Sequence, residues 1–417
     1  MKFSEYTITQ KPEQSVDPLG FTQPFGALRS RWYAQFTVLS NSPAYHGVLA
    51  LVYQLLAERE TTPGMEKFTR RFREAECLWG LANVTAGQSI LNVTKYQAIL
   101  EGRSSIALKD IGYSNAIFRS LAYGTLGHYS NPSVAWCFLE RGAARLTPLG
   151  NQLADAFATR ERQSLRGALE RWLDGKAITS AELQTLGNAY SIDKTPLGAE
   201  RKVWRAAVHA WCNHAPDTRA IWTDPPTADE LQTLRDDAAA YRNFFPVMAT
   251  RFPRLAQSFE QADRFEAMSA VCLFLFEREY LLCHDAGPAL PAPGDVESQL
   301  AAALARLAKE YMAQNFNHDT KGLFGALAVA SGHSAITTII MRHHVDHQKG
   351  KNTQPYMDNG ELRVRDRFDR QAFTALHEEL ADQDSANERV ALLTYRYRRD
   401  WHFDRAVRYA RYFGEKV

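Results

Sequence analysis

Four side chains near residue 345 carry the densest chemistry in the sequence: His343, His344, Asp346 and His347. Imidazole nitrogens and carboxylate oxygens are ordinary ligands for divalent transition metals. On a helix, residues four apart share a face, so His343 and His347 could hold one ion between them. His333, His377 or an acid would supply a third ligand. The metalloprotease pattern of two histidines around a glutamate is absent, because no Glu follows the first histidine. The Asp346-His347 pair also occurs in the finger of HNH nucleases, but the Asn and His expected downstream are not at the usual spacing. The plainer reading is a polar helix end whose imidazoles face the negative pole of the helix dipole. No metal is therefore favoured, and His343, Asp346 and His347 stand as the candidates for one.

Two other clusters are weaker. His209, Cys212 and His214, with Cys283 and His284 far downstream, offer zinc-ligand types without a paired-cysteine motif, and a buried cysteine is more often packing. Ser331-Gly332-His333-Ser334 resembles half of a nucleophile elbow, but Ile336 stands where the second glycine belongs. Dinucleotide and Walker A glycine patterns are absent. No cofactor is expected, and binding is a better expectation than catalysis.

Binding chemistry is better represented. The stretch from Arg389 to Phe413 places Arg396, Arg398, Arg399, Arg405, Arg408 and Arg411 among Tyr395, Tyr397, Trp401, Phe403, Tyr409 and Tyr412. Guanidinium forks grip phosphates, and aromatic rings stack on bases. Lys349 and Lys351 add charge just upstream. The alternative is a helix pair whose rings are core and whose arginines snorkel or pair with acids.

The elements that would position these groups are mostly helical. Apolar residues recur at three-to-four spacing over 46–60, 65–81, 199–212 and 253–283. Helices are also expected over 93–100, 163–173, 180–190, 227–244, 296–312 and 331–347, with a short strand at 361–364. Tyr113 to Arg160 is the clearest motif. An amphipathic segment (Ile117, Leu121, Tyr123) leads into a Gly/Asn/Pro loop, and a helix is expected over 134–141. A short strand then ends in Leu146-Thr147-Pro148-Leu149-Gly150, and a last helix carries Leu153, Ala156 and Phe157. That order is the order of a winged helix-turn-helix. Its base and phosphate contacts would be His128, Asn131, Ser133 and Arg141, with Arg145 on the wing.

The 417 residues hold 45% hydrophobic and 23% charged side chains, the balance of an ordinary globular chain with more than one core. The net charge of +2 makes any basic surface a local one. Five scattered cysteines fit reduced thiols and a cytoplasmic setting. No secretory leader or membrane span is expected. The expected organisation is a helical domain over 1–105, a winged helix over 106–175, a helical middle domain over 176–330 and a basic, aromatic domain over 331–417.

Asp17-Pro18-Leu19-Gly20, the turn at Leu146 to Gly150, His347 with Lys349 and Lys351, and Tyr395-Arg396 ahead of Arg398, Arg399 and Asp400 resemble, in their order, poorly characterised bacterial winged-helix proteins encoded with anti-phage defence or mobile-element systems. The resemblance implies a component working beside a nuclease or ATPase, with no catalytic residues carried over. The expectation is a mainly α DNA-binding or adaptor subunit, with DNA a better partner than RNA. A metal-dependent nuclease using the His/Asp cluster and a protein-interaction scaffold are the alternatives.

Overall fold

The computed structural model describes residues 17–37, 42–59, 65–112, 124–141, 145–160, 164–196, 198–283, 294–314, 321–358, 361–362 and 368–413. Nineteen α-helices lie among them. The first nine are α1 (Thr22–Tyr33), α2 (Ala44–Arg59), α3 (Met65–Thr85), α4 (Val93–Leu100), α5 (Thr125–Ala135), α6 (Pro148–Ala158), α7 (Leu165–Leu173), α8 (Ser180–Ala189) and α9 (Gly198–His214). The next five are α10 (Arg219–Thr223), α11 (Ala228–Asp236), α12 (Ala238–Arg251), α13 (Ala256–Leu282) and α14 (Asp295–Met312). The last five are α15 (Lys321–Val329), α16 (His333–Gly350), α17 (Arg370–Ala381), α18 (Ala386–Arg396) and α19 (Phe403–Phe413). Two antiparallel pairs complete the fold: β1 (Ser105–Ile106) with β2 (Ile178–Thr179), and β3 (Met357–Asp358) with β4 (Glu361–Leu362). The chain is mainly α.

It divides into two compact units, each assembled from separated segments. The larger joins Ser30–Leu231 to Asp400–Val417, and the smaller joins Met1–Arg29 to Gln232–Arg399. The expected boundaries at 105 and 175 fall inside the larger unit, and that at 330 inside the smaller.

In the larger unit α2 is the buried axis. Residues 44 to 53 are all buried, so this helix is apolar around its whole circumference rather than along one stripe. It packs on α3 and α6, and α3 packs on α8. Gly187 lets α8 approach α3, because a Cβ there would stand 2.0 Å from the Ala82 carbonyl oxygen. The far end of the unit is an aromatic core. Trp136 lies 5.3 Å from both Trp204 and Trp222, and Tyr409 and Phe413 of α19 close around them. The aromatic residues of the C-terminal stretch are thus mostly core.

In the smaller unit α13 is the buried axis, in contact with α12, α14, α16 and α18. Phe21 joins that core edge-on to Phe265 and stacked on Phe324.

Three sequence expectations give way. The expected helix over 227–244 is two helices, because Asp237 is extended and its carboxylate accepts from the Ala239 N–H. The stretch 389–413, for which the sequence predicts no single helix, forms two helices, α18 and α19, separated at His402 with φ 66°. The presumed Gly/Asn/Pro loop is helix α5, and the helix expected over 134–141 ends instead at Ala135. The reason is tertiary: α5 has no local side-chain cap, and the Thr125 N–H is held by Glu76 Oε1 of α3 at 2.5 Å. A carboxylate at a helix N-terminus meets both its unpaired N–H groups and its dipole. The first helix of the expected winged motif, around 117–123, lies outside the described residues.

Gly187→Ala should force α8 off α3. The expected cost is roughly 1–3 kcal/mol, as for other overpacked contacts, read as a lower thermal midpoint with unchanged helical circular dichroism at 20 °C.

Candidate functional site

The site grows from the end of α5. Trp136 caps the helix, the Cys137 N–H donates to the Val134 carbonyl at 3.0 Å, and the Phe138 N–H donates to the Ser133 carbonyl at 2.8 Å. This is the Schellman ending, whose first residue past the cap is left-handed and is usually glycine. Here it is Cys137, at φ 61°. A side chain in that conformation costs roughly 1–2 kcal/mol. A hairpin follows, with Leu139 bridged to Leu146 and the Glu140 N–H on the Arg145 carbonyl at 3.0 Å.

Thr147 then ties hairpin to helix. Its hydroxyl donates to the Cys137 carbonyl and accepts from the Gly150 N–H at 3.0 Å, capping α6, with Pro148 in the first helical position. Gly150 is required there, since a Cβ would meet the Phe138 carbonyl oxygen at 2.1 Å. The Leu-Thr-Pro-Leu-Gly motif therefore acts as a strand end and helix start, with the helix beginning at Pro148 rather than after Gly150 as the sequence pattern suggests.

Beside this junction lies a cavity of about 770 Å³ within the larger unit. Val134, Leu139 and Trp211 give it apolar walls, while Asn131, Arg141 and His214 give it polar ones, and Cys137 faces it. Arg141 is exposed and has no acidic partner among the described residues. Burial pushes the Cys137 thiol above its ordinary value, so it is held as the thiol.

The structure brings Asn131 and Arg141 together on this cavity, with His128 half-exposed further along α5. Burial, and then the nearby Arg73 charge, keep His128 below the usual histidine range. Arg145 is exposed on the hairpin and paired with Glu140 at 2.6 Å. Ser133 is a correction. It is wholly buried and bonded to Nδ1 of His46 at 2.7 Å, so it presents nothing to a ligand. His46 sits among the rings of Tyr129, Phe138, Trp204 and Tyr409, and burial pushes its imidazole down to about 3.

Most of the C-terminal arginines have internal duties. Arg396 pairs with Glu379 at 2.5 Å. Arg398 lies over the Tyr395 ring and donates to the Tyr395 and Arg235 carbonyls. Arg399 lies over Phe21, Phe25 and Phe265, within 5.7 Å of each ring centre. Arg405 pairs with Asp400. Arg408, Lys349 and Lys351 are exposed.

The histidine cluster closes on the Asp17–Gly20 turn, inside the smaller unit. His344 Nε2 accepts from the Tyr356 N–H at 2.8 Å, so its proton is on Nδ1, which donates to the Pro18 carbonyl at 2.8 Å. His343 Nε2 donates to the Leu19 carbonyl at 3.0 Å, and the Gln348 amide donates to the carbonyls of Asp17 and Pro18. Gly20 has φ 72°, and its missing side chain leaves room for the His347 ring. Burial lowers all three imidazoles, that of His344 to about 4. Asp346 is exposed near Arg342. His343 and His344 spend ring nitrogens on backbone, and among the described residues no three His, Cys, Asp or Glu side chains assemble a metal site. His209, Cys212 and His214 form none either: Cys212 is buried, while His214 faces the cavity. No helix of the described residues is long and apolar enough to cross a membrane.

His46 and Trp211 carry no motif that would have marked them. No family model, curated protein or solved structure matches the chain.

His46 and His344 fold as neutral rings, whereas an unfolded histidine titrates near 6.5. Between pH 6.5 and about 4 the unfolded chain therefore binds more protons, and stability falls as pH falls through that window. Each ring removes at most about 1.4 kcal/mol per pH unit. Urea midpoints measured from pH 7 to 4.5 should drop less steeply in His344→Asn than in the parent; parallel curves would show that His344 is not the group titrating.

Proposed function

We propose that the protein is a nucleic-acid-binding or adaptor subunit of a bacterial DNA-processing or anti-phage defence complex, acting through contacts to phosphate and base rather than through catalysis. The observation that carries this reading is Arg141. It is exposed, lacks an acidic partner among the described residues, and shares a cavity with Asn131 at the junction of α5 and the hairpin.

In the winged helix-turn-helix reading, α5 is the reader, the paired residues at 138–140 and 145–147 belong to the wing and α6 follows it. His128, Asn131 and Arg141 are then the side chains nearest the nucleic acid, with Arg145 available at the cost of its pair with Glu140. Phosphate contacts fix position, and base contacts supply specificity. Of the C-terminal arginines, Arg396 and Arg405 pair with carboxylates and Arg398 and Arg399 lie over aromatic rings, so less of the affinity comes from that stretch than its composition suggests. Lys349 and Lys351 are further phosphate contacts in this reading. A nuclease or ATPase is the kind of partner it calls for.

Arg141→Gln should weaken binding to DNA by roughly tenfold, about 1.4 kcal/mol, and reduce the slope of log affinity against log salt by about one ion. Arg396→Gln should leave affinity within roughly twofold, within the usual range for an exposed ion pair of about 0–1 kcal/mol. Mobility shifts at four salt concentrations measure both. Absence of binding to any duplex or single strand would remove the reading.

A further inference from the structure

The cavity in the larger unit has a chemistry more particular than a phosphate contact requires. Its volume, about 770 Å³, lies within the roughly 300–1,000 Å³ of small-molecule sites. Three kinds of surface meet in it. Trp211 donates its indole N–H to Thr218 Oγ1 at 3.1 Å, so what the ring offers a ligand is hydrocarbon and π surface, continued by Val134 and Leu139. Arg141 offers a guanidinium fork. Asn131 offers an amide with both a donor end and an acceptor end.

His214 completes the set. Its Nδ1 lies 2.7 Å from the Ala210 carbonyl, which can only accept. The proton is therefore on Nδ1, and in the neutral ring Nε2 is an acceptor. The ligand that uses every one of these groups is flat, aromatic and anionic, with both donors and acceptors on its edge. An aromatic carboxylate would leave Asn131 and His214 to water. Inorganic phosphate would leave the apolar walls empty.

We infer that this cavity receives a single nucleotide unit, with its base against Trp211 and the apolar walls, its phosphate at Arg141, and its base edge read by Asn131 and His214. The inference rests on the nucleic-acid reading and deepens it: the protein takes one unstacked nucleotide out of a strand, in the manner by which single-stranded nucleic acids are read on aromatic surfaces. A free mononucleotide presents the same chemistry.

Cys137 faces the cavity and reports its occupancy. The experiment follows alkylation of each thiol by N-ethylmaleimide at pH 8, peptide by peptide, with half-exposed Cys283 as the control. The probes are the four deoxynucleoside monophosphates and a thymidine single strand, with strand binding followed in parallel by fluorescence anisotropy. Occupancy should slow the Cys137 reaction at least threefold and leave Cys283 unchanged. Arg141→Gln, a surface change, should abolish that protection, and His214→Ala should alter which base protects best. Protection by the strand supports the inference in full; protection by monomers alone supports a nucleotide site in the cavity but overturns its use on a strand. Strand binding with no protection of Cys137 by any probe overturns it while leaving the nucleic-acid reading intact. Monomer protection without strand binding overturns that reading instead. If Cys137 resists the reagent in the free protein, calorimetry of the monophosphates and the strand against parent and Arg141→Gln decides: heat lost in the variant supports the inference, and heat absent or unchanged overturns it.

Discussion

One carboxylate from another part of the chain sets up the site. Glu76, on α3, holds the Thr125 N–H and so determines where α5 begins. Arg73 stands beside it, at 3.8 Å, with both side chains nearly sealed from solvent. Gly124 makes the approach feasible, because a Cβ there would stand 1.9 Å from an Arg73 guanidinium nitrogen. A buried pair of this kind adds little net stability, but losing one member leaves the other charged and unsolvated. Once α5 starts at Thr125, its remaining contacts follow in register. Tyr129 stacks on Tyr45, Ser133 meets His46, Trp136 enters the aromatic core, and Asn131 is left on the outer face beside Arg141.

That dependence explains what was legible in advance. Helices with their own periodicity and their own caps could be read: α8 carries Thr179 and Glu182 as a reciprocal cap, and α2 and α13 are apolar over many turns. α5 could not. It contains Gly127, Asn131 and Pro132, all poor helix formers, and its cap is 49 residues away. The turn into α6 was legible because Thr147, Pro148 and Gly150 act locally, whereas the sequence pattern makes the first arm of the hairpin helix and places the start of α6 after Gly150.

The site divides in the same way. Asn131 and Arg141, named from the expected motif, both line the cavity. Ser133 could not be told from them by sequence, since one helical step decides between solvent and His46. Composition also misled at the C-terminus: arginine among aromatics reads equally as a phosphate surface or as guanidinium packed on rings, and Arg398 and Arg399 take the second course. His343 and His347 have ligand spacing, yet a ring nitrogen of His343, with one of its neighbour His344, closes a turn more than 320 residues earlier in the chain.

That long closure bears on how the chain is made. The Pro18 carbonyl finds His344 only after a further 326 residues, and the larger unit likewise takes α19 from beyond residue 400. Translation at roughly 5–20 residues per second puts a delay on the order of tens of seconds between the two halves of the turn contact. Throughout that interval Leu19 and Phe21, wholly buried in the finished protein, lack their eventual surroundings. Contacts of such long sequence separation also slow folding generally. The nascent chain therefore passes through a prolonged stage in which neither unit is complete, and holding apolar segments apart during synthesis becomes part of what this architecture demands of the cell that makes it.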